Sequence, residues 1–164
     1  MGRVPRRGRR AAPRAPLTPP SPAGRSRAGD TSRVEVLDGA APCPCGRGEP
    51  YAACCRPLHR REREAPTAEA LMRSRYSAFA VGDAAHLRRT WHPSTVPEHL
   101  DLDDDVRWLH LAVTEVERGG PFDDEGVVAF EAVARAGGRR HVQRERSAFV
   151  REGGRWLYVG EAGR

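Results

Sequence analysis

The sequence predicts an α+β domain in which helices come first and an antiparallel sheet follows. Apolar residues recur at helical spacing between residues 67 and 92, whereas apolar and polar residues alternate with a period of two between residues 106 and 161. Pairs of glycines separate the alternating segments, as they do in β-hairpins. A run of helices followed by a run of strands is typical of the α+β class.

The first helix is predicted over the segment PTAEALMRSRYSAFAVGD. Thr67 is a suitable N-cap and Gly82 provides a stop signal. One face of this helix carries the apolar residues Ala68, Leu71, Met72, Tyr76 and Phe79. Arg75 is exceptional because it lies on the same apolar face. Asp83 is expected to cap a second, shorter helix in the segment DAAHLRRTWH.

Four strands are predicted by the alternating segments VRWLHLAVTEVE, GVVAFEAVARA, HVQRERSAFVRE and RWLYVGE. The glycine pairs at 119–120, 137–138 and 153–154 lie between them as hairpin turns. The third strand is unusual because both of its faces carry polar residues. We expect one face to point to solvent and the other to point partly into the domain.

The basic character of the chain, with a net charge of +6, is concentrated at its beginning. Residues 1–29 contain eight arginines, six prolines and no acidic residue; without those arginines, 20 basic residues face 22 acidic ones, a net charge of −2. We therefore predict a disordered Arg/Pro-rich tail over residues 1–41 and a slightly acidic folded part. The tail is either an inert extension, including a start codon assigned too early, or an arginine arm that contacts RNA or acidic lipid.

Membrane insertion and export are not predicted. No stretch of the sequence approaches the roughly 18 apolar residues of a transmembrane helix. Prolines interrupt the segment that follows the first arginine pairs, so neither an export signal nor a transit helix is expected there. We expect a cytoplasmic protein, and in a reducing compartment clustered cysteines favour a metal site over disulfides.

All four cysteines lie in the segment CPCGRGEPYAACC, with the spacing C-x-C-x8-C-C. Four thiolates suit a closed tetrahedral Zn²⁺ site of the structural type, because no coordination position is left for water or substrate. Gly46 and Gly48 permit a tight turn, and Pro50 can open a short helix that carries the last two cysteines. The predicted zinc ligands are Cys43, Cys45, Cys54 and Cys55. Four nearby arginines can offset the charge of the thiolates, namely Arg47, Arg56, Arg60 and Arg61.

Other interpretations of the cysteine cluster have weaker support. A disulfide between Cys54 and Cys55 would close a strained ring between adjacent residues. The spacing matches neither ferredoxin pattern of an iron–sulfur cluster, and no C-x-x-C redox motif is present. His59 remains an alternative ligand in place of one cysteine.

The cysteine segment resembles the SEC-C motif, the zinc-binding segment also found at the end of the translocase SecA. The segments PTAEALMRSRYSAFAVGD, TWHPST and RSAFVREGGRWLYVG resemble the YchJ family of bacterial proteins, so that the resemblance covers about residues 43–160. It implies a SEC-C zinc-binding segment at 42–62 with the four cysteines as ligands. It also implies a nuclear-transport-factor-2-like domain at 66–161, in which helices close a curved antiparallel sheet into a cone.

The resemblance implies no particular reaction, so function must be argued from residues. The first hypothesis is a non-enzymatic, zinc-stapled module that docks on a protein or ribonucleoprotein partner through the arginines around the cysteines. The second is a small-molecule-binding protein or enzyme that uses the concave side of the cone as a pocket, with Arg75 as the ligand of an anion.

Five residues are candidates for such a pocket. A buried guanidinium needs a carboxylate or an anion. Glu131 and Glu145 could supply the carboxylate, which would make Arg75 part of a structural ion pair; otherwise Arg75 lies at the base of an anion-binding pocket. His92 is either a general base, because histidine titrates near neutral pH, or a packed loop residue. Tyr76 is expected in the core, and it would contact a ligand only if a cavity lies beside it.

Overall fold

The structure, a computed structural model, describes residues 37–163. Within this range three helices, α1 (Arg56–His59), α2 (Ala68–Val81) and α3 (Ala84–Arg89), precede four strands. The strands are β1 (Arg107–Arg118), β2 (Glu125–Ala136), β3 (Arg139–Glu152) and β4 (Arg155–Glu161). They form one antiparallel sheet in the order β1-β2-β3-β4, which confirms the predicted α+β class.

Helix α2 begins and ends as the sequence predicts. The Thr67 hydroxyl accepts a hydrogen bond from the Ala70 amide at 3.1 Å, and Gly82 ends the helix in the left-handed conformation. The Asp83 carboxylate caps α3 in the same way, because it accepts from the His86 amide at 2.8 Å. The apolar face of α2 packs against the sheet and forms most of the helical half of the core.

The sheet has one buried and one solvated face. On β3, Glu145, Ser147 and Phe149 point into the core, whereas Arg144 and Arg146 lie on the outer face. Residues 137–138 and 153–154 are two-residue turns with both glycines at positive φ, as this type of hairpin requires. The expectation that only one face of β3 points to solvent is therefore confirmed.

Two boundaries at the start of the folded part differ from the prediction. Residues 38–41 belong to the predicted tail, but the Tyr51 amide donates to the Ala41 carbonyl at 2.8 Å and the Ala52 amide donates to the Gly39 carbonyl at 2.9 Å. Because these hydrogen bonds join backbone atoms, no side-chain pattern in the sequence predicts them. Helix α1 begins at Arg56, after the cysteines rather than around them, because residues 51–55 form turns.

The Arg/Pro-rich tail up to residue 36 lies outside the described residues, and its predicted contact with RNA or lipid stays a prediction. In the described part of the chain, every helix is too short or too polar to cross a membrane.

Candidate metal centre

The four cysteine side chains converge on one point. All four Sγ atoms lie within 4.8 Å of one another. The Sγ atoms of Cys45 and Cys54 are 3.4 Å apart and those of Cys54 and Cys55 are 3.9 Å apart. A disulfide would require about 2.0 Å, whereas four sulfurs at tetrahedral Zn–S bonds of about 2.3 Å lie about 3.8 Å from one another. The donor set therefore fits a single tetrahedral metal ion, and all four thiols are free.

A short paired segment and two left-handed glycines bring the cysteines together. The Cys43 amide donates to the Glu49 carbonyl at 2.9 Å, and the Gly46 amide donates back to the Cys43 carbonyl at 3.2 Å. Gly46 and Gly48 have φ angles of 78° and 85°, which a side chain would disfavour. The predicted tight turn is therefore present.

The electrostatics of the cluster favour a cation. Hydrogen bonds from the Cys45 and Cys55 thiols lower the pKa of the Cys43 thiol. Burial raises the pKa of Cys54 to about 12, and hydrogen bonding to Cys43 raises the pKa of Cys55. One thiolate therefore forms readily, and further ionisation is opposed by burial and by repulsion among the sulfurs. A cation among the sulfurs would reverse this penalty and deprotonate the remaining thiols.

Helix α2 forms one wall of the cysteine cluster. The Ser77 hydroxyl is 3.5 Å from Cys43 Sγ and fully buried. Arg73 donates to the Cys45 carbonyl at 2.9 Å and to the Glu69 carboxylate at 2.7 Å. Sequence reasoning missed Ser77; its only signal is that it lies one turn after Arg73 on the same face of α2. The cysteine segment is thus attached to the second domain rather than free of it.

A buried polar network strengthens this attachment. The ring of His59 lies between two partners: its Nε2 is 2.9 Å from the Ser74 carbonyl and its Nδ1 is 2.7 Å from the Tyr51 hydroxyl. A carbonyl only accepts, so the proton of the neutral ring is on Nε2 and the Tyr51 hydroxyl donates to Nδ1. Both nitrogens of His59 are occupied in this way, and the candidate metal group within the described residues contains cysteines alone.

His86 continues the network into α3. Arg89 Nη2 lies 2.7 Å from His86 Nδ1, so Nδ1 accepts and the proton of the ring is on Nε2, which lies 3.0 Å from the Ser74 hydroxyl. Arg89 also donates to the carbonyls of Leu58 and His59 at 2.9 and 2.6 Å. The two imidazole rings are 4.5 Å apart. Burial, then the neighbouring charges of His59, Arg89 and Arg75, lower the pKa of His86 to about 2.

We predict that stability falls in acid because of His86. Its folded-state pKa is below the ordinary value of 6.5, so its contribution is complete above pH 6.5 and is lost as pH falls from 6.5 toward 2. One proton corresponds to a slope approaching about 1.4 kcal/mol per pH unit. Gln can donate to Ser74 and accept from Arg89 without titrating. We therefore expect the free energy of unfolding of His86→Gln, measured from pH 7.5 to 5, to fall less steeply with decreasing pH than that of the unmodified chain, by up to this slope.

The control for this measurement is His99→Gln, because His99 is an exposed loop residue. The free energy of unfolding of this variant should depend on pH as steeply as that of the unmodified chain. Acid release of a metal affects all three proteins alike, so only the difference between the variants reports His86. Equal slopes for His86→Gln and the unmodified chain would contradict the neutral, buried state of His86.

Arg75 is buried as predicted, but its partners are different. It is 1% exposed, and its Nη1 donates to the Leu87 carbonyl and to the Thr90 hydroxyl, each at 2.8 Å. Its guanidinium carbon lies 4.4 Å from the ring centre of Tyr158 and 4.9 Å from that of Trp91. Burial lowers the pKa of Arg75 to about 10, which leaves the group charged at neutral pH. Its Nε and Nη2 have no hydrogen-bond partner in the described part of the chain.

The expected direct ion pair between Arg75 and a strand carboxylate does not form within residues 37–163. Glu131 lies on the outer face of the sheet, 2.7 Å from Arg144. Glu145 is buried, but it accepts hydrogen bonds from the hydroxyls of Ser147 at 2.6 Å and Tyr158 at 3.1 Å. Arg75 and Glu145 are therefore linked through the Tyr158 ring, and burial raises the pKa of Glu145.

Tyr76 and His92 lie in different surroundings. Tyr76 is 1% exposed and packs edge-on against Trp108, with ring centres 5.4 Å apart, as expected of a core aromatic. His92 lies in the loop after α3, where its Nδ1 is 2.6 Å from the Ser94 hydroxyl and its Nε2 is 3.3 Å from the Glu152 carboxylate. The predicted pocket residues are thus divided among the core, a loop and the outer face of the sheet.

Two clefts lie where the cysteine segment meets the second domain. The junction cleft, of about 170 Å³, lies between the segment after α1, the end of α3 and the start of β4. A more open cleft of about 340 Å³ lies beside Cys45, Cys54 and Cys55. Arg75 lines neither of them.

Comparisons with known proteins agree with this architecture. A family model described as "YchJ, middle NTF2-like domain" matches residues 67–161, and one described as "SEC-C motif" matches residues 41–57. The chain is 52% identical to a UPF0225 protein of Deinococcus radiodurans over 74% of this chain and 88% of that protein. It is also 52% identical to a UPF0225 protein of Streptomyces coelicolor, over 72% and 92% of the two chains.

Two solved structures are similar in fold. The solution structure of a SEC-C motif containing protein from Rhodopseudomonas palustris has a TM-score of 0.66 at 36% identity and covers 76% of this chain and 100% of that one. A crystal structure of a SEC-C motif containing protein from Psychrobacter arcticus has a TM-score of 0.61 at 22% identity, over 78% and 85% of the two chains. The latter supports the fold alone.

Proposed function

Since the chain belongs to the YchJ (UPF0225) family and joins a SEC-C motif to an NTF2-like domain, we propose that it is a non-enzymatic module, stapled by one Zn²⁺, that docks on a protein or ribonucleoprotein partner. The observation that carries the proposal is the closed set of four thiols, which are 0 to 8% exposed. Four sulfur ligands complete a tetrahedral coordination sphere and leave no position at which a substrate could bind the metal.

Zinc is favoured by the chemistry of the donors. Soft thiolates in a tetrahedral S₄ set are typical ligands of zinc or iron. The cluster has the dimensions of a site for one ion, and it joins two backbone segments, 43–45 and 54–55, as a structural metal does. Zn²⁺ has no redox chemistry of its own, so its role here is to hold residues 38–62 in place where few apolar side chains are available to do so.

The arginines around the zinc site are proposed to contact the partner. The Arg47 side chain is 45% exposed, with one long contact of 3.9 Å to Glu69. Arg60 and Arg61 are exposed and have no carboxylate within 4 Å in residues 37–163. Arg56 differs, because it packs over Gly39 so closely that a side-chain carbon placed there would overlap its guanidinium. The exposed guanidinium groups of Arg47, Arg60 and Arg61 suit contact with an acidic protein surface or an RNA backbone.

We predict that Arg47→Gln combined with Arg60→Gln abolishes most partner capture. The tagged, zinc-loaded chain is used as bait in a lysate of its own bacterium, with and without ribonuclease, and captured protein and RNA are quantified. Removing two charged interactions with phosphate or carboxylate groups at once should weaken binding by at least about tenfold at low salt. Loss of capture after ribonuclease treatment indicates a ribonucleoprotein; resistance indicates a protein.

The matched control is Arg139→Gln combined with Arg140→Gln. Both residues are exposed at the start of β3, next to the 137–138 turn, and neither lines either of the clefts beside the cysteine segment. This variant should capture partner as the unmodified chain does. If the Arg47/Arg60 variant captures as much as this control, docking through the arginines around the zinc is contradicted.

A second candidate function is the binding of a small anion in the core beside Arg75. It is favoured by one observation: three buried nitrogen donors have no partner within the described residues, namely Arg75 Nε, Arg75 Nη2 and Nε1 of Trp91, the ring that stacks on Arg75. Unpaired buried donors are costly. On this proposal, a resident anion would co-purify with the chain and appear as a mass increment in native mass spectrometry.

A further inference from the structure

The junction cleft has an unusual distribution of charge. Four arginines line it, and a single carboxylate, Glu64, opposes them. The arginines come from separate parts of the fold and are Arg61, Arg63, Arg89 and Arg155. None of them has a carboxylate oxygen within 4 Å anywhere in residues 37–163. The formal charge of the lining is therefore +3, whereas the other described residues hold 14 arginines and 19 carboxylates, a formal charge of −5.

Two of these arginines are held in place by the fold. Arg63 donates to the carbonyls of Ala53 and Cys54 at 3.0 and 3.2 Å. Arg89 donates to the carbonyls of Leu58 and His59. Burial and, to a smaller extent, repulsion from Arg61 lower the pKa of Arg89. The fold therefore holds the guanidinium groups of Arg63 and Arg89 in place before any ligand arrives, so binding does not have to order these two side chains.

A residue with an unpaired neutral donor is also among those that line the junction cleft. Trp156 is 2% exposed, and its Nε1 is buried and has no hydrogen-bond partner within residues 37–163. An indole N–H only donates, so the group that would satisfy it is an acceptor. The four arginines of the cleft and the unpaired indole donor of a residue that lines it favour the same chemistry, that of an oxyanion.

We propose that the junction cleft binds the phosphate group of a small phosphorylated ligand. Phosphate carries close to two negative charges at neutral pH and offers several acceptor oxygens, which match arginine forks. The cleft is concave and of limited volume, which suits a terminal phosphate rather than the continuous backbone of a nucleic acid. The inference does not depend on docking through Arg47 and Arg60, because neither residue is among those that carry it.

The probe is inorganic phosphate, titrated into the zinc-loaded full chain at constant ionic strength set with sodium chloride. The chain has three tryptophans, so the indole N–H signals are resolved by nitrogen-15 NMR and that of Trp156 is assigned with a Trp156→Phe variant. We expect a saturable shift of the Trp156 signal. Arg61→Asn with Arg155→Gln should weaken binding by about tenfold or more for each arginine removed.

Asn is chosen at position 61 because Arg61 has a φ of 61°, which Asn tolerates. The control is again Arg139→Gln with Arg140→Gln, which removes the same charge at exposed positions away from the cleft and should bind phosphate normally. A shift that does not saturate, that chloride reproduces, or that both double variants weaken equally would overturn the proposal. So would a Trp156 response to a short RNA without 5′-phosphate that inorganic phosphate fails to produce.

Discussion

Cys45→Ser is expected to abolish stoichiometric metal binding and to unfold residues 38–62 while the sheet persists. Cys45 is fully buried and its sulfur lies 3.4 Å from that of Cys54, so a serine leaves three ligands and a hard oxygen in a soft site. Structural zinc sites contribute about 10–16 kcal/mol of apparent binding free energy. Residues 38–62 have only a small apolar cluster of their own, so losing most of that free energy should unfold them.

The sheet should survive because its core is a separate cluster. The residues that pack α2 on the strands form one apolar group, and the cysteines with Tyr51 form another. Hydrogen exchange followed by mass spectrometry should therefore show full exchange in residues 38–62 and retained protection in β2 and β3. Metal content is measured on the same samples.

The matched control is Ala53→Ser, which adds a hydroxyl at an exposed position of the same segment. It should keep its metal and its protection. Protection of residues 38–62 in Cys45→Ser equal to that in Ala53→Ser would mean that the metal is not what holds the segment.

Arg75→Leu is expected to destabilise the domain by about 2–4 kcal/mol rather than to leave a fully stable protein that has lost a ligand. The substitution removes two charge-assisted hydrogen bonds of about 1.5–3 kcal/mol each and stacking on two rings worth about 2 kcal/mol when desolvated. Relief of the desolvation of the guanidinium offsets several kcal/mol of this loss. Urea unfolding of the zinc-loaded chain measures the difference.

Arg88→Leu is the control for this experiment. Arg88 is exposed on the neighbouring helix α3, so its replacement should change stability by no more than about 0.5 kcal/mol. If Arg75→Leu is as stable as Arg88→Leu and a co-purifying anion disappears from its native mass spectrum, the second candidate function is correct and the structural role of Arg75 is refuted.

The sequence was informative wherever a signal is local. The period of the apolar residues and the caps at Thr67, Gly82 and Asp83 predict α2 and α3 correctly. The glycine pairs at 137–138 and 153–154 predict their turns because a two-residue hairpin requires positive φ. The cysteine spacing indicates a four-thiol cluster because few other arrangements use four soft ligands so close together.

The sequence was uninformative wherever the partner is distant in the chain. Nothing local to Arg75 indicates that it is held by the Leu87 carbonyl and two aromatic rings instead of a carboxylate. The same holds for Ser77 beside Cys43 and for the contact of His86 with the Ser74 hydroxyl. Each of these interactions is created by the docking of the cysteine segment and α3 on α2, which only tertiary structure reveals.

The most direct test of the zinc-stapled module is X-ray absorption at the zinc edge on the full chain purified without chelator, with metal stoichiometry measured on the same sample. One zinc per chain surrounded by four sulfurs at about 2.3 Å is the expected result. Iron in place of zinc, a stoichiometry well below one, or nitrogen or oxygen ligands in the first coordination sphere would contradict it.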